Sequence, residues 1–217
     1  RVLTYNIHHA EGVDGRIDLE RIAAVIRRAE ADLVALQEVD RGVERSGCVD
    51  QPERPAALTG MQIVFAKNID HEGGAYGNAV LSRFPVEGHR NHRLPRTPPN
   101  EQRGLLEIHI QPGGNEFVFL ATHLDHQADD DERVPGVAVI GDLVTQMRRS
   151  AGDRSRRFQR QAGQPGDDRN QGVPAGHQRS RPRIAVYFSC TRADSANRLH
   201  APQPASPAEM RRAPRHW

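Results

Sequence analysis

The sequence predicts a mixed α+β fold over its first 147 residues. Strand-length apolar runs alternate there with stretches at helical spacing, and polar or acidic residues gather where the strands end. The character of the chain then changes near Met147. Residues 1–147 carry 15 Arg and Lys against 23 Asp and Glu, whereas residues 148–217 carry 15 against 5. The small net charge of +2 hides these two unlike segments. The hydrophobic fraction of 36% and mean hydropathy of −0.70 are low for a packed chain of this length, and the deficit lies mostly in the last third.

The elements follow in order. Val2–Ile7 is apolar and β-branched, a buried strand. Gly12 and Asp14-Gly15 mark the loop after it. Asp18 is placed to cap a helix over residues 19–30, where Leu19, Ile22, Ala23 and Ile26 share one face. Residues 32–38 form a second buried strand ending in Gln37-Glu38. A short helix fits residues 55–58, and Gln62–Ala66 is a third strand. Residues 73–77 read as a flexible glycine loop leading into a strand from Asn78 to Ser82. Strands over 86–94 and 103–110 flank a proline-rich turn, and Phe117–Leu124 is the clearest strand of all. Residues 132–147 predict a helix with Pro135 in its first turn. The acidic stretch 125–132 reads as a solvated loop whose charge suits the start of that helix.

Several polar residues stand where chemistry is feasible, each with a plainer reading beside it. Asn6 closes a strand and serves equally as a turn residue. Glu38 follows an apolar strand, where a carboxylate must face solvent or a cation. His123 and Asp125 share a strand face, a pairing suited to proton transfer or to a structural histidine. His123 and His126 could form half of a zinc site, but no third ligand stands out. His8-His9 reads as an exposed loop pair. Asn78 can donate its amide to a phosphate oxygen or simply turn the chain. Arg103 can pair with phosphate or sit at the surface as an ordinary charge. Two cysteines, Cys48 and Cys190, make neither a disulfide framework nor a zinc signature. No apolar run is long enough to span a membrane as a helix, and the sequence assigns no compartment.

Taken in order, Leu3-Thr4-Tyr5-Asn6-Ile7, residues 32–39 (Asp-Leu-Val-Ala-Leu-Gln-Glu-Val), residues 76–82 (Tyr-Gly-Asn-Ala-Val-Leu-Ser) and residues 122–126 (Thr-His-Leu-Asp-His) resemble the endonuclease/exonuclease/phosphatase family of metal-dependent phosphoesterases. The resemblance implies a four-layer αββα sandwich, here truncated, and hydrolysis of a phosphate ester. It implies that Glu38 binds a divalent cation, Mg²⁺ or Mn²⁺, with Asn6 beside it. His123 would contact the scissile phosphate or assist protonation, and Asn78 would lie on the loop lining the same pocket. Beside these, Arg103 and His126 are expected as phosphate contacts. The partner would be a small phosphodiester, a phospholipid head group or nucleic acid.

The resemblance covers residues 1–147. Its later motifs, a Gly-Asp-(Phe/Leu)-Asn strand end that positions the attacking water and a closing Asp-His or Asp-Tyr pair, are missing from 148–217. With CGN codons for arginine, reading one nucleotide later lets 153–165 encode Ile-Val-Leu-Gly-Asp-Phe-Asn, and lets 195–199 encode Arg-Arg-Ile-Asp-Tyr. The expectation is therefore that 148–217 is a frameshifted, disordered tail in which only Ile184–Phe188 looks like a strand. The chain would then be inactive, with a bare sheet edge and an uncovered apolar face. Alternatively, an Arg-rich segment of this composition is a non-catalytic nucleic-acid-binding tail.

Overall fold

A computed structural model of the chain describes residues 1–125, 130–162 and 182–189. Two four-stranded sheets lie face to face. The first has the order β1 (Val2–Asn6), β2 (Leu33–Arg41), β4 (Gly74–Ser82), β3 (Gln62–His71). The second has the order β5 (Val86–Arg93), β6 (Gly104–Ile110), β7 (Phe117–His123), β8 (Arg183–Ser189). Helices α1 (Leu19–Ala29) and α2 (Glu53–Thr59) belong to the outer side of the first sheet, and α3 (Arg133–Ala162) to that of the second.

Three apolar layers cement this arrangement. Ile22 and Ile26 of α1 pack on Val34, Leu36 and Leu81. Between the sheets, Leu33, Ala35 and Val80 meet Leu106, Ile108 and Phe119. Outside the second sheet, Leu105, Val118 and Leu120 meet Ile140 and Leu143 of α3. Leucine-sized side chains buried in this way each contribute about 1.5–3 kcal/mol. Asp18 caps α1 as its position predicts, accepting from the Arg21 N–H at 2.8 Å.

Residues 74–77 are strand rather than loop, so Asn78 lies inside β4. The glycines are there for close approach. A Cβ on Gly77 would fall 2.0 Å from the Ala66 carbonyl oxygen, and one on Gly74 2.4 Å from the Gly42 carbonyl carbon. The two ends of the 125–132 stretch are less solvated than its charge suggests. Asp125 and Glu132 are buried, and one Glu132 oxygen accepts from the Thr97 N–H at 2.5 Å.

Beyond Met147 the chain still contributes regular structure. Helix α3 continues to Ala162, and β8 runs parallel to β7 from Phe117↔Arg183 to His123↔Ser189. Alternation explains why this strand fits: Ile184 and Val186 turn toward α3, while Tyr187 stacks 5.0 Å from Phe119 between the sheets. The bare β7 edge and open apolar face expected from the sequence are therefore covered, by β8 and α3 respectively. Among the described residues, no helix is long and apolar enough to cross a membrane.

Candidate active site

The ends of β1 and β7 meet β2 around one carboxylate, Glu38, which lies inside a strand that runs on to Arg41. Strand β2 advances three residues from Leu36 to Val39 while its partner β4 moves only from Ala79 to Gly77. The extra residue makes a bulge at Gln37-Glu38, and Glu38 adopts φ +59. A left-handed conformation is unfavourable for a side chain of this kind, and a bulge re-aims what it carries. The carboxylate reached this way is only partly exposed. Asn6 donates its amide to Glu38 Oε1 at 2.6 Å, and His123 Nε2 stands 3.8 Å from the same oxygen.

Asn6 is held from its other side, because its Oδ1 accepts from the His8 backbone N–H at 3.0 Å. It presents its NH2 to Glu38 and so positions that carboxylate. His123 is buried and set by Arg103, whose Nη1 lies 3.4 Å from His123 Nδ1. A guanidinium can only donate, so Nδ1 is the acceptor and the ring proton sits on Nε2, on the side of Glu38. Arg103 is itself 5% exposed, bonded to Glu101 at 2.7 Å and 3.8 Å from Asp125. These contacts make it an internal clamp on His123 rather than a surface charge.

Asn78 does not line a loop. Its amide donates to the Gly104 carbonyl oxygen at 3.2 Å, and the Thr122 hydroxyl donates to the same oxygen at 2.8 Å. It thus ties the two sheets together close to the β7 end. His126 lies outside the described residues.

The sequence reading undervalued two parts of this region. His8 and His9 each offer a ring nitrogen that, with a Glu38 oxygen, forms a set of three donors all within 4.8 Å of one another. Burial pushes the His9 imidazole below its ordinary value, and the Glu11 carboxylate at 2.9 Å partly offsets this. Two imidazoles and a carboxylate are donors that suit a divalent cation. Tyr76 is buried near Glu38, Glu101 and Arg103. Its phenol is pushed up by burial first and by the Glu38 and Glu101 charges next, so it stays protonated. Only spatial proximity reveals either feature, since β1 and β2 are separated in sequence by α1.

Comparisons with known proteins identify the family of the chain and its fold. The model of the endonuclease/exonuclease/phosphatase family matches residues 3–213, further than the 147 residues that carry the motifs. The chain is 32% identical over 157 residues to the Escherichia coli K12 protein YbhP, covering 68% of this chain and 61% of YbhP. The chain thus spans less than two thirds of that relative's length. An endonuclease/exonuclease/phosphatase from Beutenbergia cavernae is 31% identical with a TM-score of 0.54, over 65% of this chain and 43% of that one. The mannosyl-6-phosphatase Bt3783 of Bacteroides thetaiotaomicron shares the fold at 18% identity and TM-score 0.54, over 67% of this chain and 59% of its own. TDP2 from Caenorhabditis elegans does so at 23% and 0.52, over 67% and 42%. With a family match over nearly the whole chain and the sandwich fold in common, this protein belongs to the endonuclease/exonuclease/phosphatase family.

Proposed function

We propose that this chain carries the cation- and phosphate-binding part of a divalent-metal-dependent phosphoester hydrolase. The observation that carries this reading is the convergence of Asn6 and His123 on one oxygen of a carboxylate turned out by a bulge. Glu38 holds the cation, Mg²⁺ or Mn²⁺, and Asn6 keeps the carboxylate aimed. A cation there supplies charge to the phosphorane-like transition state and the leaving oxygen. The His123 Nε2–H is oriented to donate to a phosphoryl oxygen, and Arg103 fixes the tautomer that makes this donation available. Asn78 supports the β7 end from the opposite sheet. The substrate is a phosphate ester, with a small phosphodiester, a phospholipid head group and nucleic acid all compatible with the site.

The same reading makes the chain a poor catalyst. The strand beside β7 ends at Ser189, level with His123, and brings no carboxylate to orient a water. Lost proton transfer and water positioning lower turnover by about 10²–10⁴-fold. We further propose that residues 148–217 are read in a shifted frame and that the boundary lies near Met147. Sequencing the genomic DNA across codons 140–200 tests this. A gained or lost base that opens a frame through Gly-Asp-Phe-Asn and Arg-Ile-Asp-Tyr supports it, and an intact frame with no open alternative rejects it. For the hydrolase reading, the measurement is cleavage of bis-(p-nitrophenyl) phosphate with added Mg²⁺ or Mn²⁺. Weak metal-dependent turnover lost in Glu38→Ala and His123→Ala supports it. Turnover that survives both changes rejects it.

A further inference from the structure

We propose that His8 and His9 are metal ligands, forming with Glu38 a three-donor site of two nitrogens and one oxygen. Such a site takes a first-row transition-metal dication, Mn²⁺ or a heavier one, in preference to Mg²⁺. This inference rests on the reading of Glu38 as a cation ligand and names the kind of ion it holds.

The starting point is distance. One nitrogen from each imidazole and one Glu38 oxygen lie within 4.8 Å of one another. Bonds of about 2.0–2.2 Å from one central ion hold imidazole nitrogen and carboxylate oxygen donors no more than about 4.4 Å apart, so a shared ion needs only a small inward movement of groups already within 4.8 Å. Chemistry decides the ion. Oxygen-only sites suit Mg²⁺, whereas imidazole donors favour the transition metals.

The backbone indicates that this cluster is built rather than accidental. His8, His9 and Ala10 have φ values of 49, 42 and 63, three consecutive non-glycine residues in the left-handed region. Each such residue costs roughly 1–2 kcal/mol. The turn is nonetheless held on several sides. Ala10 is buried, and its N–H donates to the Ile7 carbonyl at 2.9 Å. Gln51, fully buried, donates to the His9 carbonyl at 2.7 Å while its own oxygen accepts from the Asp40 N–H at 3.1 Å. One side chain thereby ties the histidine turn to β2, two residues past Glu38. The Glu11 carboxylate, 2.9 Å from His9 Nε2, restrains that ring further. Strain gathered at His8, His9, Ala10 and Glu38 and restrained by neighbours is the pattern seen where geometry serves a ligand.

The test is Mn²⁺ binding to the full 217-residue chain, followed by electron paramagnetic resonance with Mg²⁺ as competitor. Pulsed measurements of the bound ion add a direct readout of coordinated nitrogen. We expect Mn²⁺ to bind at least about tenfold more tightly than Mg²⁺, and directly coupled ¹⁴N to be present in the wild type and in His123→Ala. His8→Ala and His9→Ala should each weaken Mn²⁺ by at least the roughly 10–100-fold cost of removing a ligand's supporting partner. Mg²⁺ affinity should change far less. Absence of coupled nitrogen in the wild-type complex overturns the proposal without recourse to any variant. Mn²⁺ affinity unchanged in the two histidine variants but lost in Glu38→Gln also overturns it, while leaving Glu38 as a cation ligand. Mn²⁺ affinity unchanged in Glu38→Gln as well removes the cation site itself.

Discussion

Among the described residues, two histidine–carboxylate clusters behave oppositely. On the outer face of the second sheet, His92 and His109 take both oxygens of Glu107, at 2.5 and 2.6 Å. That carboxylate is saturated by its neighbours, in a cavity of about 240 Å³ roofed by Leu143 and Met147 of α3. At the other cluster, Asn6 takes one oxygen of Glu38 while three imidazoles stand nearby. The backbone differs as well. Glu107 lies in regular strand, whereas Glu38 is at a bulge with a left-handed φ. A carboxylate with histidines around it is therefore not a site by composition alone. What separates the two is whether histidines bond both carboxylate oxygens, as at Glu107, or an amide bonds one of them, as at Glu38.

The contrast can be broken most forcefully at Glu38. Glu38→Gln should remove cation binding and reduce residual phosphodiester cleavage by about 10³-fold, to background. Cleavage by the variant at the wild-type rate would place the chemistry elsewhere. Next in size is the pair of buried Asp40 with the partly exposed Arg45, joined by two bonds of 2.9 and 2.8 Å. Asp40→Asn weakens both bonds while the partly solvated guanidinium turns to water, and should cost about 2–3 kcal/mol in denaturant unfolding. Glu107→Gln should cost about 1.5–3 kcal/mol and leave Mn²⁺ affinity untouched. A loss of Mn²⁺ binding in that variant would mean that the second cluster is also a site.

Acid provides a gentler probe of the same residue. Burial raises the Glu107 carboxyl, but the hydrogen bonds with His92 and His109 outweigh it and hold the group below its ordinary 4.5. A carboxyl depressed in the folded state gives stability that is complete above 4.5 and is lost as pH falls through the folded value. The wild type should thus lose more stability below pH 4.5 than Glu107→Gln does, as read by urea unfolding at pH 7 and pH 3.5. Parallel curves would mean that the His92 and His109 contacts carry no net linkage. Asn78→Ala should be the mildest change, about 1 kcal/mol, because Thr122 still donates to the Gly104 oxygen.

Much of this was legible in the residues. The α1 face, the Asp18 cap and most strand cores follow from spacing and local chemistry. Three things were not. The bulge at Glu38 leaves no mark in the sequence, because β2 is apolar on both faces and a slip of one residue breaks no alternation. Residues 74–77 read as loop because their glycines signal flexibility, whereas β2 and β3 need them for close backbone approach. His8-His9 read as an exposed pair because its neighbour Glu38 lies 29 residues beyond His9, brought near by the parallel pairing of β1 with β2. Strand β8 is the converse case. Its apolar run was visible, but its partner was not, since the surrounding composition argued against any packing.

That strand has a consequence for handling the protein. Among the described residues, strand β8 is joined to the sheet along one side, so in hydrogen exchange its amides should be released well before those of β7, which is flanked by β6 and β8. Each such opening briefly uncovers a seven-residue template, Phe-Val-Phe-Leu-Ala-Thr-His, rich in aromatic and branched side chains. Another chain can dock on a template of that kind. Shelf life in concentrated solution is then governed by how often one peripheral strand lifts away, rather than by the stability of the molecule as a whole.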